Sequence, residues 1–190
     1  MKIVLVSTSP YRKKQLQQLI DQFETLPPLI EEESIKNHSL PPKKFCLHLA
    51  YEKAKSRLSS HPEALLIGAD QIVLSHSGKI LGKTSDAQEA AQQLQSLSGK
   101  THHLLTAVAL LHKRKTFQHV NVTKITFYPI SFEEALKYVQ EEQTWDCAGA
   151  CKIEEKGIRF VKSIETEDFT AITGLPLLTL NKWFRELKVL

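Results

Sequence analysis

No stretch of this 190-residue chain stays apolar long enough to cross a bilayer, and its first ten residues, MKIVLVSTSP, are too short and lack the flanks of a secretory signal. Cysteine is scarce as well. Three thiols cannot all pair within one chain, which points to free cysteines in a reducing, cytoplasmic setting. Charge of one sign does not dominate: the net charge is only +4, and Lys and Arg are spread along the whole length, where a dedicated nucleic-acid binder carries a stronger basic bias or a tail. Glycine-rich phosphate loops of the Walker or dinucleotide kind are missing, and so is a G-x-S-x-G nucleophile turn. Repeats, low-complexity tracts and long linkers are absent too. What remains is one soluble domain over 1–190, of ordinary composition and large enough for a real core.

The patterning that is present alternates strands and helices. KIVLV (Lys2 to Val6) is short, apolar and β-branched, as a buried strand should be. Ser9 then offers an N-cap oxygen and Pro10 suits the first helical position, so a helix is expected from Pro10 to about Asp21. An irregular acidic, proline-bearing stretch follows, LPPLIEEESIKNHSLPP. A second helix, KKFCLHLAYEKAKSRLSS, ends near His61 and Pro62. ALLIGAD reads as a buried strand stopping on its acid, QIVLSHSGKILGK as a hairpin turning at Ser77 and Gly78, and Ser85 with Gln88 as a capping box for a helix through Leu97. Two long strands flank a basic turn. Ser131 caps a helix with Glu133 and Glu134 in its first turn, GIRFVKSIE is a strand, and a closing helix has Pro176 in its first turn. βα units mixed with hairpins predict a mixed α/β fold of α+β character, one twisted mixed sheet flanked by helices.

The first helix breaks a rule. Arg12, Lys13 and Lys14 sit in its opening turns, where the dipole repels cations. One explanation is a solvated basic surface. The other is an anion site, in which Ser7, Ser9 and free backbone N–H groups cradle a phosphate while Arg12 and Lys13 neutralise it. Asp70, ending an apolar strand, lies where α/β sheets gather ligands; an ordinary aspartate is ionised at neutral pH and can bind metal or accept a proton, although capping a turn is the commoner use of such a residue. Lys53 follows Cys46, Leu49 and Ala50 by seven, four and three residues, so it shares their apolar stripe and either snorkels or reaches into a site. Lys83 has no such geometric argument. Glu31, Glu32 and Glu33 are either hydrated loop acids or the one or two carboxylates that Mg²⁺ uses beside phosphates. Cys147 and Cys151 lack a second ligand pair of zinc type, and adjacent His102 and His103 must point to opposite sides of a strand.

Taken in order, STSPYRKKQL, the acidic pair, AYEKA, GADQIV, ILGKT, LSGKTHHLLTAVAL, CAGA and GLPL resemble the Maf family of nucleotide pyrophosphatases over nearly the entire chain. The resemblance implies a Maf/ITPase-like mixed sheet in two lobes around a substrate cleft, and a metal-dependent hydrolase (Mg²⁺ or Mn²⁺) that cuts nucleoside triphosphates between the α- and β-phosphates. It assigns Asp70 as proton acceptor, Glu31 and Glu32 as the acidic pair, with Glu32 and Asp70 as metal ligands. Phosphate contacts fall on Ser7, Ser9, Arg12, Lys13, Lys53 and Lys83. Much of the family reads SPRR, GADT and KAGAYGIQG, a pattern associated with dTTP and UTP. Tyr11, Gln71 and CAGACKIEEKG here look instead like the branch acting on 7-methyl-GTP, with Tyr11, Gln71 and Glu154 as specificity positions. A cationic 7-methylguanine attracts an aromatic face, and a carboxylate accepts from guanine N1–H and the 2-amino group. Glu155 replaces a Gly of that branch, leaving either acid as the reader, and Thr84 replaces a Pro, which is expected to loosen the Lys83 loop. A dTTP/UTP or broad pyrophosphatase, and a non-catalytic nucleotide-binding regulator of cell division, are the competing readings. The expected partner is the nucleotide, with no membrane and no nucleic acid; a homodimer is expected by analogy alone.

Overall fold

The computed structural model describes residues 1–30 and 40–190. Among these residues, seven strands form one mixed sheet: β1 (Ile3–Val6), β2 (Glu24–Leu26), β3 (Leu65–Leu74), β4 (Ile80–Leu81), β5 (Thr101–His112), β6 (Lys115–Phe127) and β7 (Val161–Glu165). The order is β2-β1-β3-β5-β6-β7, with β4 paired to β3 off that path. β1 lies parallel to both β2 and β3, whereas β4 on β3 and β7 on β6 are antiparallel. Five α-helices accompany it among the described residues: α1 (Pro10–Leu16), α2 (Pro42–Lys55), α3 (Ala87–Ser96), α4 (Phe132–Glu142) and α5 (Leu177–Glu186). None is long and apolar enough to cross a membrane. The mixed α/β fold expected from the patterning is the one observed.

The chain divides into two compact units, and the long strands contribute residues to both. The first comprises Met1–Gln71, Thr106–Asn121 and Asp168–Leu190. Its core sets Leu5, Leu65 and Ile67 against Leu16, Leu180 and Phe184, all fully buried. Burial of that kind stabilises by about 1.5–3 kcal/mol per large side chain. The second comprises Ile72–Leu105 and Val122–Glu167, where α3 packs on α4 and Phe127, Tyr138 and Phe160 meet ring to ring.

Several boundaries differ from the sequence reading, each for a local reason. α1 stops at Leu16 although its stripe runs on, and β2, unforeseen, follows the turn. The acid of ALLIGAD does not end its strand: β3 runs on through Asp70 to Leu74, because IVL continues the apolar run and pairs with β4. The cap of α3 is Asp86, which accepts from Glu89 N–H at 2.8 Å, while Ser85 bonds the Glu89 carboxylate, one register later than Ser85 with Gln88. A 3₁₀ turn at Phe169–Thr173, also unforeseen, is capped by Asp168.

Candidate active site

Within the first unit, α1 begins as its sequence dictates. Ser9 Oγ accepts from Arg12 N–H at 3.3 Å, Pro10 fills the first turn, and that turn holds no acid. Ser9 N–H in turn donates to Ser7 Oγ at 3.1 Å. Each hydroxyl oxygen therefore accepts from the main chain and keeps its own proton to donate, the polarity an anion requires. Arg12 is not left in solvent. Its Nε donates to Gly174 O at 2.9 Å and its Nη1 to Ala69 O at 3.0 Å, so two carbonyl oxygens hold the guanidinium against the strand residue before Asp70. Lys13 and Tyr11 are exposed.

On α2, the stripe Cys46, Leu49, Ala50 and Lys53 is buried, as its spacing predicts. Lys53 reaches Asp70, Nζ to Oδ1 at 2.6 Å, in an ion pair almost wholly withdrawn from water. Cys46, two turns earlier on the same face, donates to Asp70 O at 3.5 Å and lies 4.0 Å from Oδ2. Burial first, and the Asp70 charge second, push that thiol's pKa well up, so it is a neutral donor. The sequence reading counted Cys46 only as apolar stripe; seven-residue spacing to Lys53 was the available signal. α2 comes this close because residue 68 is glycine: a Cβ there would sit 2.2 Å from Ala50 O and 2.6 Å from Ala54 N.

Gln71 points away from Asp70, as alternation requires. Its Nε2 donates to Thr106 Oγ1, Ala171 O and Ile172 O at 2.9, 3.0 and 3.1 Å. Carbonyls cannot donate, so the orientation of the amide is fixed, with its nitrogen toward this turn and its oxygen remaining an acceptor. Thr106 Oγ1 also donates to Ala171 O, tying the same 3₁₀ turn.

Lys83 and Glu154 belong to the second unit. Lys83 is exposed. The loop behind it is pinned, contrary to the expectation for Thr84: its N–H and hydroxyl both donate to Trp145 O, at 2.9 and 3.1 Å, and proline lacks that N–H. Glu154 is a surface residue whose carboxyl is partly desolvated, which raises its pKa. Glu155 has φ −119°, outside the positive-φ range that favours glycine. Cys147 and Cys151 are free thiols pushed up to about 12 by burial, consistent with packing rather than metal binding.

Glu31, Glu32 and Glu33 lie outside the described residues. Among the described residues no group of three or more His, Cys, Asp or Glu is arranged to hold a metal ion. A phosphate-bound Mg²⁺ needs only one or two protein carboxylates, however, and Asp70 carries the hard carboxylate oxygens such an ion takes, so the donor chemistry fits such an ion.

A family model described as Maf-like protein matches residues 2–187. The 7-methyl-GTP pyrophosphatase of Bdellovibrio bacteriovorus is 38% identical over 180 residues, covering 95% of this chain and 94% of that protein. The dTTP/UTP pyrophosphatase of Carboxydothermus hydrogenoformans is 38% identical over 188 residues, 98% of each chain. The 7-methyl-GTP pyrophosphatase of Aromatoleum aromaticum is 39% identical over 186 residues, 97% of this chain and 94% of that protein.

Proposed function

The chain belongs to the Maf-like protein family and is a nucleotide pyrophosphatase, and from that premise we propose that its substrate is 7-methyl-GTP, released as 7-methyl-GMP and pyrophosphate. Overall identity does not choose the base, since relatives of both specificities stand at 38%. The choice rests on Tyr11, Gln71 and Glu154. Tyr11 offers an exposed aromatic face to a cationic purine. Gln71 keeps only an acceptor, and Glu154 is an acceptor too, which suits the N1–H and 2-amino donors of guanine.

The observation that carries the chemistry is the buried Lys53–Asp70 pair. Asp70 acts as the proton acceptor for the attacking water, its carboxylate oriented by Lys53 from α2. Arg12, Lys13 and Lys53, with the Ser7 and Ser9 hydroxyls, stabilise the phosphate charge; Lys83 takes a phosphate role and Glu154 the base-reading role by family resemblance. Such chemistry is mostly positioning and electrostatics. Asp70 is the described residue that would help hold Mg²⁺ or Mn²⁺, which supplies charge neutralisation on the anhydride when bound with the phosphates.

Pyrophosphate release from 7-methyl-GTP, GTP, dTTP and UTP with either metal, beside Asp70→Asn, tests both parts. Preference for 7-methyl-GTP, abolished in the variant while nucleotide still binds, is the expected result. Preference for dTTP or UTP keeps the mechanism and overturns the substrate; undiminished turnover by Asp70→Asn overturns the proton acceptor.

A further inference from the structure

We propose that Tyr138 is a positioning residue for base selectivity, its buried hydroxyl holding the 151–157 turn in the form that presents Glu154. This rests on the reading of Glu154 as the carboxylate that meets the base.

Tyr138 is 1% exposed and projects from α4. Its ring is fixed edge-on to Phe160 at 5.0 Å and 89°, with the Arg159 guanidinium 6.0 Å from its centroid on another side. That leaves the hydroxyl one direction, and there it accepts from Lys152 N–H at 3.0 Å, with the Cys151 thiol beside it. Lys152 is the hub of the turn: its carbonyl accepts from both Glu155 N–H at 3.2 Å and Gly157 N–H at 3.1 Å. Glu154 lies inside that double closure and has little freedom of its own once Lys152 is fixed. The turn is also closed tightly at its far end. A Cβ on Gly157 would come within 2.5 Å of Lys152 O and 2.6 Å of Cys151 Sγ. Two further ties run to the end of α4, Lys152 Nζ to Glu142 O at 3.3 Å and Lys156 Nζ to Glu142 Oε1 at 2.5 Å.

Removing the hydroxyl takes away the acceptor of the Lys152 main-chain N–H and leaves the ring packing in place. That N–H is partly buried, and loss of its acceptor favours turn conformers that aim Glu154 elsewhere. Cys151 gains a role in this arrangement, packing the turn between Tyr138 and Gly157.

The experiment measures kcat/KM on 7-methyl-GTP and on dTTP, and thermal midpoints, for the wild type, Tyr138→Phe, Glu154→Gln, their double variant, and Lys156→Gln, which cuts an exposed tie without touching the core. The 7-methyl-GTP:dTTP ratio falls roughly fivefold in Tyr138→Phe, mainly through KM, in line with one lost hydrogen bond. It falls less in Lys156→Gln. In the double variant it falls no further than in Glu154→Gln alone, a non-additivity that general destabilisation does not produce. A wild-type ratio in Tyr138→Phe, or a ratio that falls additively in the double variant, overturns the positioning role while the base-reading role stands. A wild-type ratio in Glu154→Gln overturns both.

Discussion

Lys53 Nζ and Asp70 Oδ1 stand 2.6 Å apart, with side-chain exposures of 8% and 9%, so two opposite charges face one another almost out of reach of water. Such a pair is a poor source of net stability, since burying both ions costs about what their attraction returns, yet removing one partner is severe. Lys53→Ala therefore destabilises by roughly 3 kcal/mol in chemical unfolding and abolishes turnover. Lys53→Met, which keeps the stem and drops the charge, retains more of the packing and none of the activity. A variant of either kind with near-wild-type pyrophosphate release shows that the pair has no part in the chemistry.

Gly68 sets how close α2 comes to β3. A methyl group there meets the backbone of Ala50 and Ala54, which cannot rotate aside, so the helix itself must move. Gly68→Ala is expected to cost about 1–3 kcal/mol, as overpacking does, and to lower kcat disproportionately because Lys53 shifts from Asp70. Unfolding curves read beside kcat separate the two effects. An alanine variant with lowered stability but full kcat breaks the link between helix distance and chemistry.

Arg12 spends two N–H groups on Ala69 O and Gly174 O, and its planar, forked geometry lets one cation hold both carbonyls with N–H groups to spare for the proposed phosphate. Arg12→Lys keeps the charge and loses the fork. Hydrogen bonds from charged groups are worth roughly 1.5–3 kcal/mol, so kcat/KM falls by about tenfold or more. Lys13→Met, at an exposed site, falls less and in a salt-dependent way. Equal losses in the two variants refute the anchoring argument.

These residues show what the sequence could and could not disclose. The cations at the start of α1 are conspicuous because they break the dipole rule, but where the Arg12 guanidinium goes is set by Ala69 and by Gly174, the latter 162 residues away, beyond any local pattern. Lys53 was legible because helical spacing put it on an apolar stripe. Its partner was not, since pairing α2 with β3 is a tertiary fact that depends on Gly68. The pattern ALLIGAD by itself ends a strand on Asp70, whereas the apolar residues after it continue β3 and leave the acid mid-strand, facing α2. The Thr84 tie to Trp145 and the Tyr138 tie to Lys152 each involve a main-chain group of another segment, which side-chain periodicity does not report.

His102 carries a pH dependence separate from catalysis. It sits on β5 at 3% exposure, edge-on to Phe127 at 4.5 Å, and its buried Nδ1 has no hydrogen-bond partner. Burial first, and the neighbouring His103 second, lower its pKa from 6.5 to about 4. In the unfolded chain the ring takes up a proton near pH 6.5; in the folded protein it resists until about pH 4. The unfolded state thus binds more protons across that window, and stability must fall as pH falls through it. The contribution is whole above pH 6.5 and lost by pH 4, so acidifying from pH 7 to 5 removes about 2 kcal/mol through this residue. His102→Leu fills the same apolar space without a titrating group or an unpaired nitrogen, and its unfolding free energy should vary less between those two pH values by that amount. Urea titrations at pH 7 and 5 on both proteins decide it: parallel losses in wild type and variant assign the acid sensitivity to other groups.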